Sequence, residues 1–367
     1  MMQEEKKRIL QMVQDGKITA DEALSILEEL EKAGEESKVK EQVLKNELST
    51  VVANPDSGEK SYDSFNKKMQ SSKEKIFDFV ESAFKKIKDS DLDFNFGKSA
   101  EISHIFQQGN AYFKEAEIDI ANGKTSIIPW NQQDVRIECQ AKVYKTENQE
   151  EARDAFLQGV HFTIENEKLT FLVQQKGIKV DAVLYIPSAE YEKIVIRMFN
   201  GAISGEGLSA ETFKAKTANG PITIGQLNGS LCQLETGNGA IALTDSRVMN
   251  AEAESLHGGI HAEGYFKKMD IQSFNGQVSC LMKDTECESI HAKTVTGKIQ
   301  VSLPVGQPVD GELKSNLGGF NVSLEGIQVV EEKSDVIQKV LKFKTTKTEG
   351  PALYIFADTK TGTISVS

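Results

Sequence analysis

The chain has 367 residues, with 43 Lys and Arg against 55 Asp and Glu, a formal net charge of −12 and 7% aromatic residues. That length points to about two domains. The acidic balance excludes a default nucleic-acid role, which needs a basic face, and leaves acidic polymers and anionic membranes only a local basic patch to bind.

Residues 1–33 read as a helical hairpin. Ile9, Leu10 and Val13 mark its first helix and Gly16 ends it. Thr19 and Glu22 then form a capping box, followed by the stripe Ala23, Leu24, Leu27 and Leu30. A hairpin this small buries too little surface to stand alone. Leu24, Leu27 and Leu30 are therefore candidates for self-association into a homo-oligomer or for docking a protein partner. The opening MMQEEKKRILQMVQDGK has neither the apolar core nor the cleavage site of a signal peptide. Residues 34–72 are polar, with Gly34, Pro55 and Gly58, and read as a flexible linker.

An amphipathic helix is expected over 73–90. Its face is Ile76, Phe77, Val80, Phe84 and Ile87, with Lys85, Lys86 and Lys88 at one end. It has two uses: capping an open end of the domain that follows, or contacting a membrane surface or partner. From residue 91 to 367 the pattern changes to strand-like alternation. The runs DLDFNF, AEIDIA, DVRIECQAKVY, HFTIEN, KLTFLV, VDAVLYI and KIVIRMF are rich in β-branched and aromatic residues. One short helix, Glu150–Phe156, interrupts them.

From Asn200 a repeat sets in: a turn residue, Gly, any residue, then Ile, Val or Phe. Its glycines are 201, 220, 239, 258, 276, 297 and 318, at successive differences of 19, 19, 19, 18, 21 and 21, and a last copy at Gly362 follows an insertion. Three positions before the glycine stands a hydroxyl residue, as in Thr217, Thr236, Ser255, Ser273, Thr294, Ser315 and Thr359. Five before it and four after it stand apolar residues, for example Ala215 and Ile224 or Leu234 and Leu243. A period near twenty is the mark of stacked repeats. Two architectures fit: a meander of antiparallel hairpins turning at each glycine, and a solenoid in which copies pair in parallel one period apart. The solenoid is preferred, because only one of the two turns per repeat carries the Asn-Gly chemistry and because the hydroxyl position recurs once per period. The fold class expected is mainly β, a β-solenoid of roughly 19–21-residue coils.

These repeats resemble the "putative adhesin" β-strand-repeat family, whose members are similar to right-handed β-helices. The opening EEKKRILQMVQDGKITADEALSILEEL resembles the short helical, SHOCT-like module of the YvlB-type proteins of bacilli and relatives. The two pieces cover residues 1–33 and about 110–367, in the order found in that family. The resemblance implies a right-handed β-helix and a cytoplasmic protein of the cell-envelope stress response, with an envelope-stress membrane protein as partner. It offers no catalytic motif to transfer.

His257, His261 and His291 have the look of a metal cluster. In the repeat register, however, His257 takes the turn position of Asn200, Asn219 and Asn238, a place that tolerates positive φ, and His261 faces outward beside Ile260. A surface reading is favoured and no metal is expected. Cys139, Cys232, Cys280 and Cys287 form no C-x-x-C pair, which fits packed thiols in a reducing compartment. Glu206, Asp245, Glu252, Glu254 and Glu263 scatter over positions rather than forming a glycosidase pair. No phosphate loop, nucleophile elbow or H-E-x-x-H occurs, and no segment approaches the roughly 18 apolar residues of a membrane span. The expectation is a non-enzymatic structural or interaction protein without cofactor or nucleic acid. It is cytoplasmic or peripheral to the inner face of the cell membrane. The alternative is a carbohydrate-binding or carbohydrate-active β-helix, which requires a cleft lined by neighbouring carboxylates.

Overall fold

Where the alternation read from residue 91 onward falls on the described residues, which are 98–334, 338–346 and 350–367 of a computed structural model, it becomes 21 strands and one helix. The expected helices at 1–33 and 73–90, and the run DLDFNF, lie outside them. In chain order the elements begin with β1 (Ser99–Gln108), β2 (Glu115–Trp130), β3 (Val135–Tyr144), α1 (Gln149–Gly159), β4 (Val160–Glu165), β5 (Lys168–Val173) and β6 (Ile178–Pro187). The repeat region supplies β7 (Glu190–Glu206), β8 (Ser209–Asn219), β9 (Ile222–Gly225), β10 (Asn228–Asn238), β11 (Ile241–His257), β12 (Ile260–Asn275), β13 (Val278–Met282), β14 (Ser289–Thr296) and β15 (Ile299–Ser302). Then come β16 (Val309–Ser315), β17 (Phe320–Val322), β18 (Ile327–Ser334), β19 (Lys339–Thr345), β20 (Leu353–Thr359) and β21 (Ile364–Val366).

Each rung of the repeat region has a long arm and a short arm meeting at the glycine corner, as in 209–219 and 222–225, where the corner is Asn219-Gly220. Cys232 on β10 pairs in parallel with Phe213 on β8 and Ala251 on β11. Ile241 pairs in parallel with Ile222 and with Ile260. The hairpin meander is thereby excluded: copies lie on one another, as in a β-solenoid. The apolar positions five before and four after each glycine point inward, so that Ala215, Ile224, Leu234, Leu243 and Cys280 are all buried.

Three residue columns explain the repeat. Thr236 Oγ1 donates to the carbonyl of Gly220 at 2.9 Å, Ser255 to Gly239 at 3.0 Å and Thr294 to Gly276 at 3.0 Å, so each hydroxyl satisfies a part-buried carbonyl of the rung before it. The glycine column exists because rungs touch there. A Cβ on Gly239 would stand 2.0 Å from the Gly220 carbonyl oxygen, and one on Gly258 would stand 1.9 Å from that of Gly239. The third column is an amide ladder. Asn200 Nδ2 donates to Asn122 Oδ1 at 3.0 Å, Asn219 to Asn200 at 2.8 Å and Asn238 to Asn219 at 2.9 Å. Two sequence-based expectations are corrected here. The glycines serve close backbone approach, beyond forming turns. The Asn position is held by its side-chain ladder, since none of Asn200, Asn219, Asn238 and His257 has positive φ. His257 continues the column, its Nδ1 lying 3.0 Å from Asn275 Nδ2.

Rung order departs from chain order at both ends. β2 lies between β5 and β7, Glu115 pairing with Lys168 on one side and Lys193 on the other. Likewise β20 lies between β14 and β16, Ala292 and Leu313 both pairing with Ala357. The step of 21 residues from Gly297 to Gly318 predicts that the Gly318 copy stacks directly on the Gly297 copy. Instead the Gly362 copy occupies that place, because β16 takes antiparallel β19 on its outer side and leaves its inner side to β20. Near the other end, β3 runs antiparallel to β6 and β1 to β3, while β4 runs antiparallel to β5. The short helix read at Glu150–Phe156 is α1, whose first turn is capped by Asn148 Oδ1 accepting from the Glu150 amide at 2.9 Å. Its buried Phe156 meets Phe106 at a centroid distance of 6.1 Å, and Phe106 meets Phe171 at 5.9 Å, closing the core.

Candidate functional site

On a strand alternate residues face outward, and parallel stacking in register turns them into columns across the sheet. The long arms so build one broad face. Glu115, Glu117 and Asp119 stand on β2, Lys193 and Arg197 on β7, and Lys214 and Lys216 on β8. Glu235 follows on β10, and Glu252 and Glu254 on β11. The face is thus banded: acidic, then basic over two rungs, then acidic over two rungs. Sequence reasoning noted Glu252 and Glu254 but missed the basic band. Its signal was available in the residues that the hydroxyl alignment sets between the inward positions.

The bands interact where they meet. Arg197 Nη1 lies 2.6 Å from Glu117 Oε1, and Lys168 pairs with the other oxygen. Partial burial pushes the Glu117 carboxyl up, but bonds from Lys168 and Arg197 outweigh it and hold the group below the usual carboxylate range. Asp119 is buried and accepts from Gln174 Nε2 at 3.0 Å, and burial holds its carboxyl above the usual range. Lys214 shows the cost of crowding like charge: burial first, then Lys193 and Arg197, lower its pKa. Lys216 reaches Glu235 at 2.8 Å across the band boundary. Further along, Phe356 lies beneath two lysines, with Lys314 Nζ 5.0 Å and Lys293 Nζ 5.6 Å from its ring centroid.

The other candidate residues are dispersed. Of the scattered acids, Asp245 and Glu263 are brought together by Lys283, whose Nζ lies 2.8 Å from Glu263 and bonds Asp245 as well. The bond to Lys283 holds Glu263 below its usual range. His261 Nε2 lies 3.4 Å from Glu263, and His291 packs beside Tyr354 and Phe356, so the three histidines occupy three different surroundings. All four cysteines are buried and unbonded to one another, and burial pushes the thiols of Cys139, Cys280 and Cys287 up to about 12. Leu24, Leu27 and Leu30, and Ile76, Phe77, Val80, Phe84 and Ile87, lie outside the described residues. A polar groove of about 330 Å³ opens near the β4–β5 turn, lined by Glu115, Glu165, Glu167 and Glu192 with Lys114 and Lys168 among others. Within it Lys114 bridges Glu167 at 3.0 Å and Glu192 at 3.5 Å. No helix of the described residues is long and apolar enough to cross a membrane.

The Toastrack DUF4097 family matches residues 113–349, and a SHOCT-like domain family matches residues 4–35. The chain is 38% identical over 370 aligned positions, covering 100% of it and 99% of the relative, to "Uncharacterized protein YvlB" of Bacillus subtilis (strain 168). Among solved structures it is similar to a "Putative lipid binding protein" from Parabacteroides distasonis, at TM-score 0.40 and 10% identity, covering 72% of this chain and 96% of that one. It is also similar to a "putative adhesin" from Bacteroides fragilis, at TM-score 0.34 and 12% identity, covering 73% and 97%.

Proposed function

Because the chain belongs to the Toastrack DUF4097 family, we propose that it is a non-enzymatic interaction protein whose banded sheet face engages a protein partner. The observation that carries this reading is the basic band of Lys193, Arg197, Lys214 and Lys216 lying against the acidic band of Glu235, Glu252 and Glu254 on one continuous sheet. A rigid surface of fixed charge pattern selects partners and register by electrostatic complementarity. Its strands are held by backbone ladders, so little ordering entropy is lost when a partner docks. The coils are taken as right-handed, the usual hand for parallel crossovers, and as roughly 19–21 residues long.

The remaining parts have the following roles in this reading. Residues 1–33 form the docking or self-association module through Leu24, Leu27 and Leu30. Residues 34–72 are a tether. Residues 73–90 either cap the solenoid of 91–367 or touch a membrane surface or partner through Ile76, Phe77, Val80, Phe84 and Ile87. The setting is the envelope-stress response, at the inner face of the cell membrane. The test is cross-linked capture from the native host with the full chain and with a Lys214→Glu, Lys216→Glu variant. A protein captured by the first and lost with the second is expected, and identical capture profiles would refute the face. Liposome flotation unchanged by Phe77→Asp with Phe84→Asp would remove the membrane role of that helix. Equal oligomer masses for the full chain and a chain starting at Ser72 would remove self-association by the hairpin.

A second reading, carbohydrate binding, is favoured by one observation: the groove of about 330 Å³ lined by four carboxylates and two lysines. Such a mix of charged hydrogen-bonding groups suits a polyhydroxylated ligand. Calorimetric titration with oligosaccharides, showing heat that Glu167→Ala with Glu192→Ala abolishes, would favour it over the first reading.

A further inference from the structure

We propose that the partner on the banded face is a second copy of this chain, related by a two-fold axis that runs along the strands between β8 and β10. This rests on the reading of that face as an interaction surface and names its occupant. Arg197 pairs in register with Lys216, Lys216 with Glu235 and Glu235 with Glu254, so one outward column reads plus, plus, minus, minus along four successive rungs. A two-fold axis between its second and third members turns that order into minus, minus, plus, plus on the facing copy. Arg197 then meets Glu254 of the second copy, and Lys216 meets its Glu235.

The same axis can be checked on an independent column. Glu115 pairs with Lys193, and that column continues through Thr212, Leu231 and Asn250 to Lys268. The operation sets Glu115 opposite Lys268 of the second copy, again opposite in sign. One meeting is like-charged, Glu117 with Asp270. It falls where Glu117 already holds Lys168 and Arg197 of its own chain. At the centre the in-chain pair of Lys216 and Glu235, 2.8 Å apart, becomes a ring of four alternating charges with its symmetry copy. No other two-fold axis parallel to the strands and inside these four rungs opposes all four charges.

The size is that of a weak dimer. Side chains two apart on a strand are about 6.8 Å apart and strands about 4.8 Å apart. Three columns over six rungs therefore bury roughly 600 Å² per copy, about 1,200 Å² in total, the low end for a specific interface. Association driven by partly exposed charge is screened by salt, and its complementarity fixes register.

Sedimentation velocity of the full chain tests this without any variant. Dimer is expected at tens of micromolar in low salt, with the dissociation constant rising about tenfold or more near 0.5 M salt. Arg197→Glu with Lys216→Glu should leave monomer, as should Glu235→Lys with Glu254→Lys. An equimolar mixture of the two should form heterodimer, with circular dichroism confirming that each variant is folded. A monomer in low salt overturns the proposal, as does a dimer indifferent to both salt and reversal. In either case the wider reading stands if the Lys214→Glu, Lys216→Glu variant still loses a captured protein, and falls with it if it does not.

Discussion

Replacing Gly239 with Ala tests why the rungs need glycine at the corner. The new Cβ would lie 2.0 Å from the Gly220 carbonyl oxygen, 2.4 Å from its carbon and 2.9 Å from Pro221 N, all of them backbone atoms that cannot swing aside. Relief requires a shift of more than about 1 Å in a spacing of about 4.8 Å set by the strand ladder. The bonds next to that contact are Gly220 N to Asn238 O at 2.9 Å, Gly239 N to His257 O at 3.0 Å and Thr236 Oγ1 to Gly220 O at 2.9 Å. Losing two or three of them at about 1 kcal/mol each gives roughly 2–3 kcal/mol. Gly319→Ala is the control, since nothing lies within 4 Å of its added Cβ and its φ is not in the left-handed range; it should change stability by less than about 0.5 kcal/mol. Urea unfolding followed by circular dichroism reads both. If Gly239→Ala is as stable as Gly319→Ala, the column does not exist to admit close backbone approach, and the account of the repeat fails.

Four further outcomes are expected. Thr236→Val keeps the shape but leaves the part-buried Gly220 carbonyl without its hydroxyl, so it should cost about 1–3 kcal/mol in urea unfolding, whereas Thr236→Ser should cost less, since Ser255 and Ser273 fill the same role. His257→Asn restores the amide that stands elsewhere in its column and should stay within about 0.5 kcal/mol of the parent; a large loss would show that the imidazole has its own structural task. Phe156→Ala removes the buried ring of α1 and should cost about 3–5 kcal/mol, read as a lowered thermal midpoint. Asp119 has its folded pKa raised by burial, so the native form holds a proton at pH values where the unfolded chain has lost it. Its contribution to stability therefore falls as pH rises from 3.8 through the raised value. Asp119→Asn should be more stable than the parent at pH 7, with the gain shrinking as pH falls through that window. A gain independent of pH would contradict the assignment.

What the sequence made legible is what backbone contact dictates. The hydroxyl before each glycine and the apolar residues around it recur because every rung repeats the same contacts. Thr217, Thr236 and Ser255, and the parallel pairing of Ile222 with Ile241, could thus be placed before any coordinates. The Asn column was located correctly but given the wrong cause, since an amide at a corner serves equally for positive φ and for a ladder and composition does not separate the two. Rung order was invisible. The Gly362 and Gly318 copies carry the same motif, and nothing local distinguishes an inner neighbour from an outer one. The charge bands escaped because outward residues vary freely from copy to copy. Their pattern gains meaning only when Arg197, Lys216, Glu235 and Glu254 are known to stand in one file. The N-terminal candidates Leu24 to Leu30 and Ile76 to Ile87 lie outside the described residues and stay as the sequence left them.

The displaced rungs bear on how such a stack is assembled. In a plain repeat array each unit is laid on the one synthesised before it, and growth advances like bricks in a course. Here residues 353–366, although later in the chain, occupy the rung between 289–302 and 309–322 and are bonded on both flanks. The region around β2 is built the same way in reverse, an early strand enclosed by β5, β6 and β7 that emerge after it. Both ends of the wall are thus keyed. Peeling away the Gly318 copy, with the β18–β19 ribbon on its outer side, leaves the Gly362 copy still clasped by β14 and β15, so loss of those outer layers does not release the segment made last.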